Sequence, residues 1–178
     1  MIKIMIGVVI VTVIVISTFI VLDPKSGITN SAGTITEVSD NVLKVTVEGE
    51  VYHVGTYTLD EGATMSDLIE AAGGKTSRTD ERAYYETATL ITNSTYYIAS
   101  IYDDNDICNN QPVEKVNINS ADVDDLKTLE GISDAIASNI INYRTENGLF
   151  NTIEAIQLVN GIKATKFNVL KRYIYLHE

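Results

Sequence analysis

One cysteine and two histidines in 178 residues leave this chain nearly without the side chains that metal binding and catalysis use most. A lone Cys108 cannot form an intramolecular disulfide, so the fold does not depend on one. It reads as a linker or packing cysteine, with pairing to a second chain as the alternative. His53 falls in an expected strand and His177 one residue from the end, and no Cys or His cluster has metal-ligand spacing. Both are read as surface residues. The acidic run Asp103 to Asp106 lacks the glycine and distal glutamate of an EF-hand loop. No nucleophile, base and orienting group stand in a recognisable constellation. The sequence calls for no enzyme activity, no metal and no cofactor.

Basic residues are scarce as well, 13 against 24 acids, for a net charge of −11. The usual basic footprint of a nucleic-acid binder is therefore missing from the chain as a whole. The deficit is uneven. Asp23 to Gln111 carries 15 acids and 5 bases, whereas Pro112 to Glu178 carries 9 acids and 7 bases. At about 0.15 M salt, charges act over a Debye length of about 8 Å, so local charge decides what the C-terminal part can approach.

One long apolar run is present, from Ile4 to Leu22, with no charge inside it. At ~1.5 Å per residue these residues form a helix of about 30 Å, enough to cross a hydrocarbon core. A cleaved signal peptide usually has a shorter apolar region ending in a small-residue site, which Ser17-Thr18-Phe19 does not supply. Residues 1–22 are therefore expected to be a retained transmembrane helix. Lys3 before the run and Asp23 after it place residues 23–178 outside the cell by the positive-inside rule.

Near the C-terminus, Leu129-Glu130-Gly131-Ile132-Ser133 recurs thirty residues on as Val159-Asn160-Gly161-Ile162-Lys163. The echo extends to the apolar stripe: Val123, Leu126, Leu129, Ile132, Ala137 and Ile140 stand opposite Ile153, Ile156, Val159, Ile162, Phe167 and Leu170. Ser120 and Thr152 are candidate N-caps, and Gly148 should stop a helix running from about Asp134 to Asn147. Each copy reads as a tight turn between two short helices. A turn that opens a helix leaves backbone N–H groups unpaired and adds partial positive charge, so the pair forms two adjacent anion sites.

The stretch Val116-Asn117-Ile118-Asn119-Ser120-Ala121, with Leu126, Gly131-Ile132, Ile140-Ile141-Asn142-Tyr143-Arg144, Asn147-Gly148-Leu149-Phe150 and Ile153-Glu154, resembles the tandem helix-hairpin-helix domain of bacterial competence DNA receptors of the ComEA type. Ser133 and Lys163 stand where that family usually has a second glycine in each turn. The resemblance implies that double-stranded DNA is held by its phosphates at Gly131, Ile132, Ser133, Gly161, Ile162 and Lys163. Lys166, Lys171 and Arg172 supply charge along the second helix. Asp134, after Ser133, repels phosphate and makes the first turn the weaker of the two.

Between anchor and hairpins, Val42 to Glu48 alternates as a strand, and Val51 to Leu59 supplies a second across Glu48-Gly49-Glu50. A helix from Met65 to Ala72 follows, N-capped by Thr64 and ended by Gly73-Gly74, with further strands at Ala88 to Thr92 and Thr95 to Ile101. Tyr84-Tyr85 and Tyr96-Tyr97 read as half-buried sheet residues rather than base-stacking platforms. Val47-Glu48-Gly49-Glu50-Val51, Gly55-Thr56-Tyr57-Thr58-Leu59 and Asp67 to Gly74 resemble the soluble-ligand-binding β-grasp family. That resemblance implies association or ligand binding without naming a ligand.

The expected organisation is a transmembrane anchor (1–22), a linker (23–41), an α+β β-grasp domain (42–102), a linker (103–115) and a small all-α tandem helix-hairpin-helix domain (116–178). The order of anchor, β-grasp and paired hairpins resembles a Gram-positive competence receptor. The expected function is sequence-independent binding of double-stranded DNA outside the cell for uptake, with self-association and competence-machinery proteins open as further partners. The alternative is a surface interaction or ligand-binding protein acting through the β-grasp domain, with hairpins that are only a packing motif.

Overall fold

The computed structural model describes residues 42–102 and 111–178. The expected anchor at 1–22 and linker at 23–41 lie outside the described residues, as does Cys108. Among the described residues no helix is long and apolar enough to cross a membrane.

Alternation of Leu43, Val45 and Val47 inward with Val42, Lys44 and Glu48 outward makes β1, Val42–Gly49, a half-buried strand. It is the centre of a three-stranded sheet in the order β2-β1-β3. β2, Gly55–Asp60, pairs antiparallel with Leu43 opposite Leu59, and β3, Thr95–Ile98, pairs parallel with Val47 opposite Tyr96. The hairpin differs from expectation because β2 begins at Gly55 instead of Val51. Gly49 turns at φ +90°, where a Cβ would collide with the Ile98 carbonyl, and Val51 leaves to bridge Lys75. Ala88 to Thr92 is not a strand either. Its polar groups serve the entrance to the first helix: Met65 N–H donates to the Ala88 carbonyl and Leu90 N–H to that of Ala63.

That helix, α1 (Met65–Ala71), starts as expected in a capping box of Thr64 and Asp67, the Thr64 amide donating to the Asp67 carboxylate at 2.7 Å. Two hydrogen bonds from Thr64 hold the Asp67 carboxyl below its ordinary value. α1 buries Met65, Leu68 and Ile69 against Val45, Val47, Tyr96 and Ile98. Tyr84 and Tyr96 are buried here, and burial pushes the Tyr84 hydroxyl up to about 12.

The helical part begins with β4, Val116–Asn117, which pairs in parallel with β5, Ile174–Tyr175, and so ties its two ends together. Between them lie α2 (Val123–Leu126), α3 (Asp134–Asn147), a 3-10 stretch (Ile153–Leu158) and α4 (Ala164–Leu170). α3 ends at Gly148, φ +88°, as its punctuation implies. α2 is capped by Asp122, whose side chain accepts from Asp125 N–H, and not by Ser120. Thr152 makes no side-chain cap, and the segment after it winds as 3-10 instead of α.

Five of the six echoed pairs are buried on both sides, from Leu126 with Ile156 to Ile140 with Leu170. Two side chains then fasten loops to that core. Asn119 accepts from Phe150 N–H at 2.8 Å and donates to the carbonyls of Phe150 and Leu176. Arg144 donates to the carbonyls of Ile118 (2.8 Å) and Ala121 (2.7 Å).

The sheet part and the helical part belong to one compact unit, Asp40–Glu178. Ala83 and Ala99 of the former sit in the core of the latter. Residues 112–115, expected as linker, are tied down: Pro112 bridges Tyr102, and Lys115, with its side chain 1 % exposed, donates to Asp80 and to the Ser100 carbonyl, both at 2.7 Å. Arg82 grips the same carboxylate at 2.9 and 3.1 Å. Burial alone would raise the Asp80 carboxyl, but hydrogen bonds from Arg82 and Lys115 outweigh it and hold it below the usual range. Leu176 N–H donates to the Arg82 carbonyl, and His177, stacked on Tyr85 at 4.5 Å, meets the Tyr84 carbonyl at 3.0 Å.

Candidate nucleic-acid interface

The two echoed turns have one geometry. In the first, Ile132 N–H closes on the Leu129 carbonyl (3.2 Å); in the second, Ile162 N–H closes on that of Val159 (3.1 Å). Gly131 and Gly161 take φ of +76° and +95°, the left-handed region that a side chain resists. Ser133 and Lys163 sit at φ −91° and −122°, extended backbone that any residue adopts. Loss of a second glycine therefore strains neither turn.

This geometry redistributes the expected roles. Ile132 and Ile162 spend their amides inside the turns and bury their side chains, so they anchor the turns and offer no donor outward. Among the described residues, the amides of Gly131, Ser133, Gly161 and Lys163 have no hydrogen-bond acceptor. The Ser133 hydroxyl caps α3, accepting from Ile136 N–H at 3.4 Å, and keeps its own proton to donate.

The turns also face each other. Glu130, Gly131, Gly161, Lys163, Thr165, Lys166 and Val169 line a common open groove of ≈ 390 Å³. Each helix braces the opposite turn: Asn139 on α3 donates to the Asn160 carbonyl (3.0 Å), and Lys166 on α4 donates to the Gly131 carbonyl (2.6 Å). Ile136 packs on Gly161, where an added Cβ would lie 3.0 Å from its Cγ1.

The remaining basic residues divide. Lys171 turns away from the groove, 3.5 Å from the Glu48 carboxylate and 4.3 Å over the Tyr97 ring, with its side chain 16 % exposed. It fastens α4 to the sheet part. Arg172 is half-buried just past α4 and lies outside the groove lining. Asp134 does not stand as a free negative charge, because Lys127 pairs with it at 2.6 Å and reaches Asp124 at 3.8 Å. A hydrogen bond from Lys127 holds the Asp134 carboxyl down. The linear sequence obscures this partner because the turn between them folds back; a cation seven residues before the acid, across a glycine turn, was the available signal. Among the described residues no carboxylate lies within ion-pair distance of Lys163 or Lys166.

Two paired, glycine-opened turns with outward amides are carried here beside a three-stranded α+β sheet. Residues 111–175 match the helix-hairpin-helix motif family and residues 44–85 the SLBB domain family. ComE operon protein 1 of Bacillus subtilis (strain 168) is 30% identical over 145 residues, covering 76% of this chain and 71% of that protein. The chain belongs to the ComEA-type family of competence DNA receptors. Endonuclease/exonuclease/phosphatase family domain-containing protein 1 of Danio rerio and of Homo sapiens each match at 41% identity over 58 residues. That stretch is 33% of this chain and only 10% of theirs, so it carries no nuclease activity across.

Proposed function

We propose that this chain is a membrane-anchored receptor that binds double-stranded DNA without reading its sequence and presents it for uptake. The single observation behind this is the groove in which Gly131 and Gly161, both at positive φ, bring the open amides of two equivalent turns together with Lys163 and Lys166. Amide and ammonium contacts to phosphate fix position without carrying sequence information. With so few cations, binding is micromolar or weaker and its salt dependence gentle, and many receptors on one duplex compensate by avidity. Family membership supports the setting in competence. The anchor and the outward placement of residues 23–178 rest on the apolar run from Ile4 to Leu22 with Lys3 ahead of it.

Binding is tested by fluorescence anisotropy of the full chain in mild detergent against duplexes of unrelated sequence. Equal affinities that fall with salt are expected. No binding, or a strong preference among sequences, refutes the proposal. Protease added to intact cells should degrade residues 23–178, and their protection would refute the orientation.

A further inference from the structure

We infer that Lys166 serves the first turn and not its own, its ammonium being the cation that completes the phosphate site of the first repeat. The assignment rests on the DNA-receptor reading above and goes beyond it. In sequence Lys166 follows Lys163 by three residues and reads as an addition to the second turn. In space it crosses the groove and donates to the Gly131 carbonyl at 2.6 Å. An ammonium has three N–H donors, so one bond to Gly131 leaves two free in the groove beside the first turn, 3.9 Å from where a Gly131 Cβ would stand.

The first repeat's own cations are engaged elsewhere, Arg144 on the carbonyls of Ile118 and Ala121. Lys127 is spent on Asp134 and Asp124. The second turn has Lys163 at its own edge. The cross-brace that holds the hairpins together has uncharged Ile136 and Asn139 on one side and Lys166 on the other. Of the two braces, only the one at the first turn carries charge. Each turn then has one cation, Lys163 in its own repeat and Lys166 lent from the neighbouring one. Neither repeat alone contains both complete sites.

The test is a double-variant cycle on the full chain, using a random duplex and anisotropy at several salt concentrations. Ser133→Asp keeps an N-capping side chain on α3 but sets a carboxylate at the first turn. Lys163→Asp sets one at the second, where the lysine it replaces makes no side-chain cap. Each should weaken binding about tenfold, and Lys166→Gln about fivefold, with the slope of log affinity against log salt reduced by about 0.9 for the lost ammonium. Combined with Ser133→Asp, Lys166→Gln should cost less than about twofold more, because the site it serves is already gone. Combined with Lys163→Asp, its cost should appear in full. Lys166→Arg should restore most of the affinity and the slope, which a purely structural strut would not require. Full cost on Ser133→Asp with none on Lys163→Asp would return Lys166 to its own turn and overturn the inference. If Ser133→Asp and Lys163→Asp both leave binding unchanged while the chain stays folded, the receptor reading falls and this assignment with it.

Discussion

Glu154→Gln should stabilise the chain in a way that depends on pH. Glu154 lies in the 3-10 stretch, and its Oε1 accepts from Tyr97 N–H of β3 at 2.7 Å. Burial pushes its carboxyl from 4.5 up to about 7, against the lowering effect of that hydrogen bond and of Lys171. Between those two values the folded chain holds a proton that the unfolded chain has released. Stability therefore falls as pH rises through the window from about 4.5 to about 7 and stays reduced above it. A difference of about 2.5 pK units corresponds to about 3 kcal/mol, an upper limit for the cost of the buried charge at pH 8. Glutamine keeps a carbonyl oxygen for Tyr97 and removes the charge. Urea denaturation should show the variant within about 1 kcal/mol of the parent at pH 5 and up to about 3 kcal/mol more stable at pH 8. Equal loss of stability at both values would refute the reasoning, since it would mean that the carboxylate's contacts outweigh its desolvation.

Three further outcomes are expected. Asp80→Ala takes the carboxylate away from the Lys115 ammonium, whose side chain is 1 % exposed, so urea denaturation should show a loss of about 3–5 kcal/mol. Lys171→Ala should lower stability by about 1 kcal/mol through the lost contacts with Tyr97 and Glu48, yet leave the salt slope of DNA binding unchanged, because the side chain faces away from the groove. Gly161→Ala, with φ at +95° and Ile136 Cγ1 at 3.0 Å, should cost at least about 1–2 kcal/mol in thermal melts and weaken DNA binding more than its stability loss explains.

Local signals were legible wherever chemistry and geometry coincide within a few residues. The thirty-residue echo, the stop at Gly148, the Thr64 cap with Asp67 and the inward face of β1 could all be read directly, because glycine, cap and period each act over one or two turns. Pairing between distant segments was not readable. Ala88 to Thr92 has strand composition but bonds to the loop before α1, and Val51 bridges Lys75 instead of extending β2. At the candidate site, proximity along the chain assigned Lys166 and Lys171 to one helix face and left Asp134 unpaired. The fold sends Lys166 across to Gly131, Lys171 to Glu48, and Lys127 back to Asp134. Charge partners are chosen in space, and a composition count cannot see them.

The parallel pairing of β4 with β5 has a consequence for the order of assembly. Its two strands are separated by nearly sixty residues, and the second brings buried Ile174 and Leu176 and the contacts of Leu176 and His177 with Arg82 and Tyr84. A contact spanning so much chain forms late, after the loop entropy of everything between has been overcome. A polypeptide threaded through a membrane from its amino end would thus emerge with both turns already exposed but not yet clamped. Arrival of the final strand adds the last ties between the helical core and the sheet, to Arg82 and Tyr84. A chain that stalls or is clipped before Ile174 would not be a shorter receptor but an unlatched one, its helical core missing Ile174 and Leu176 and open to proteolysis.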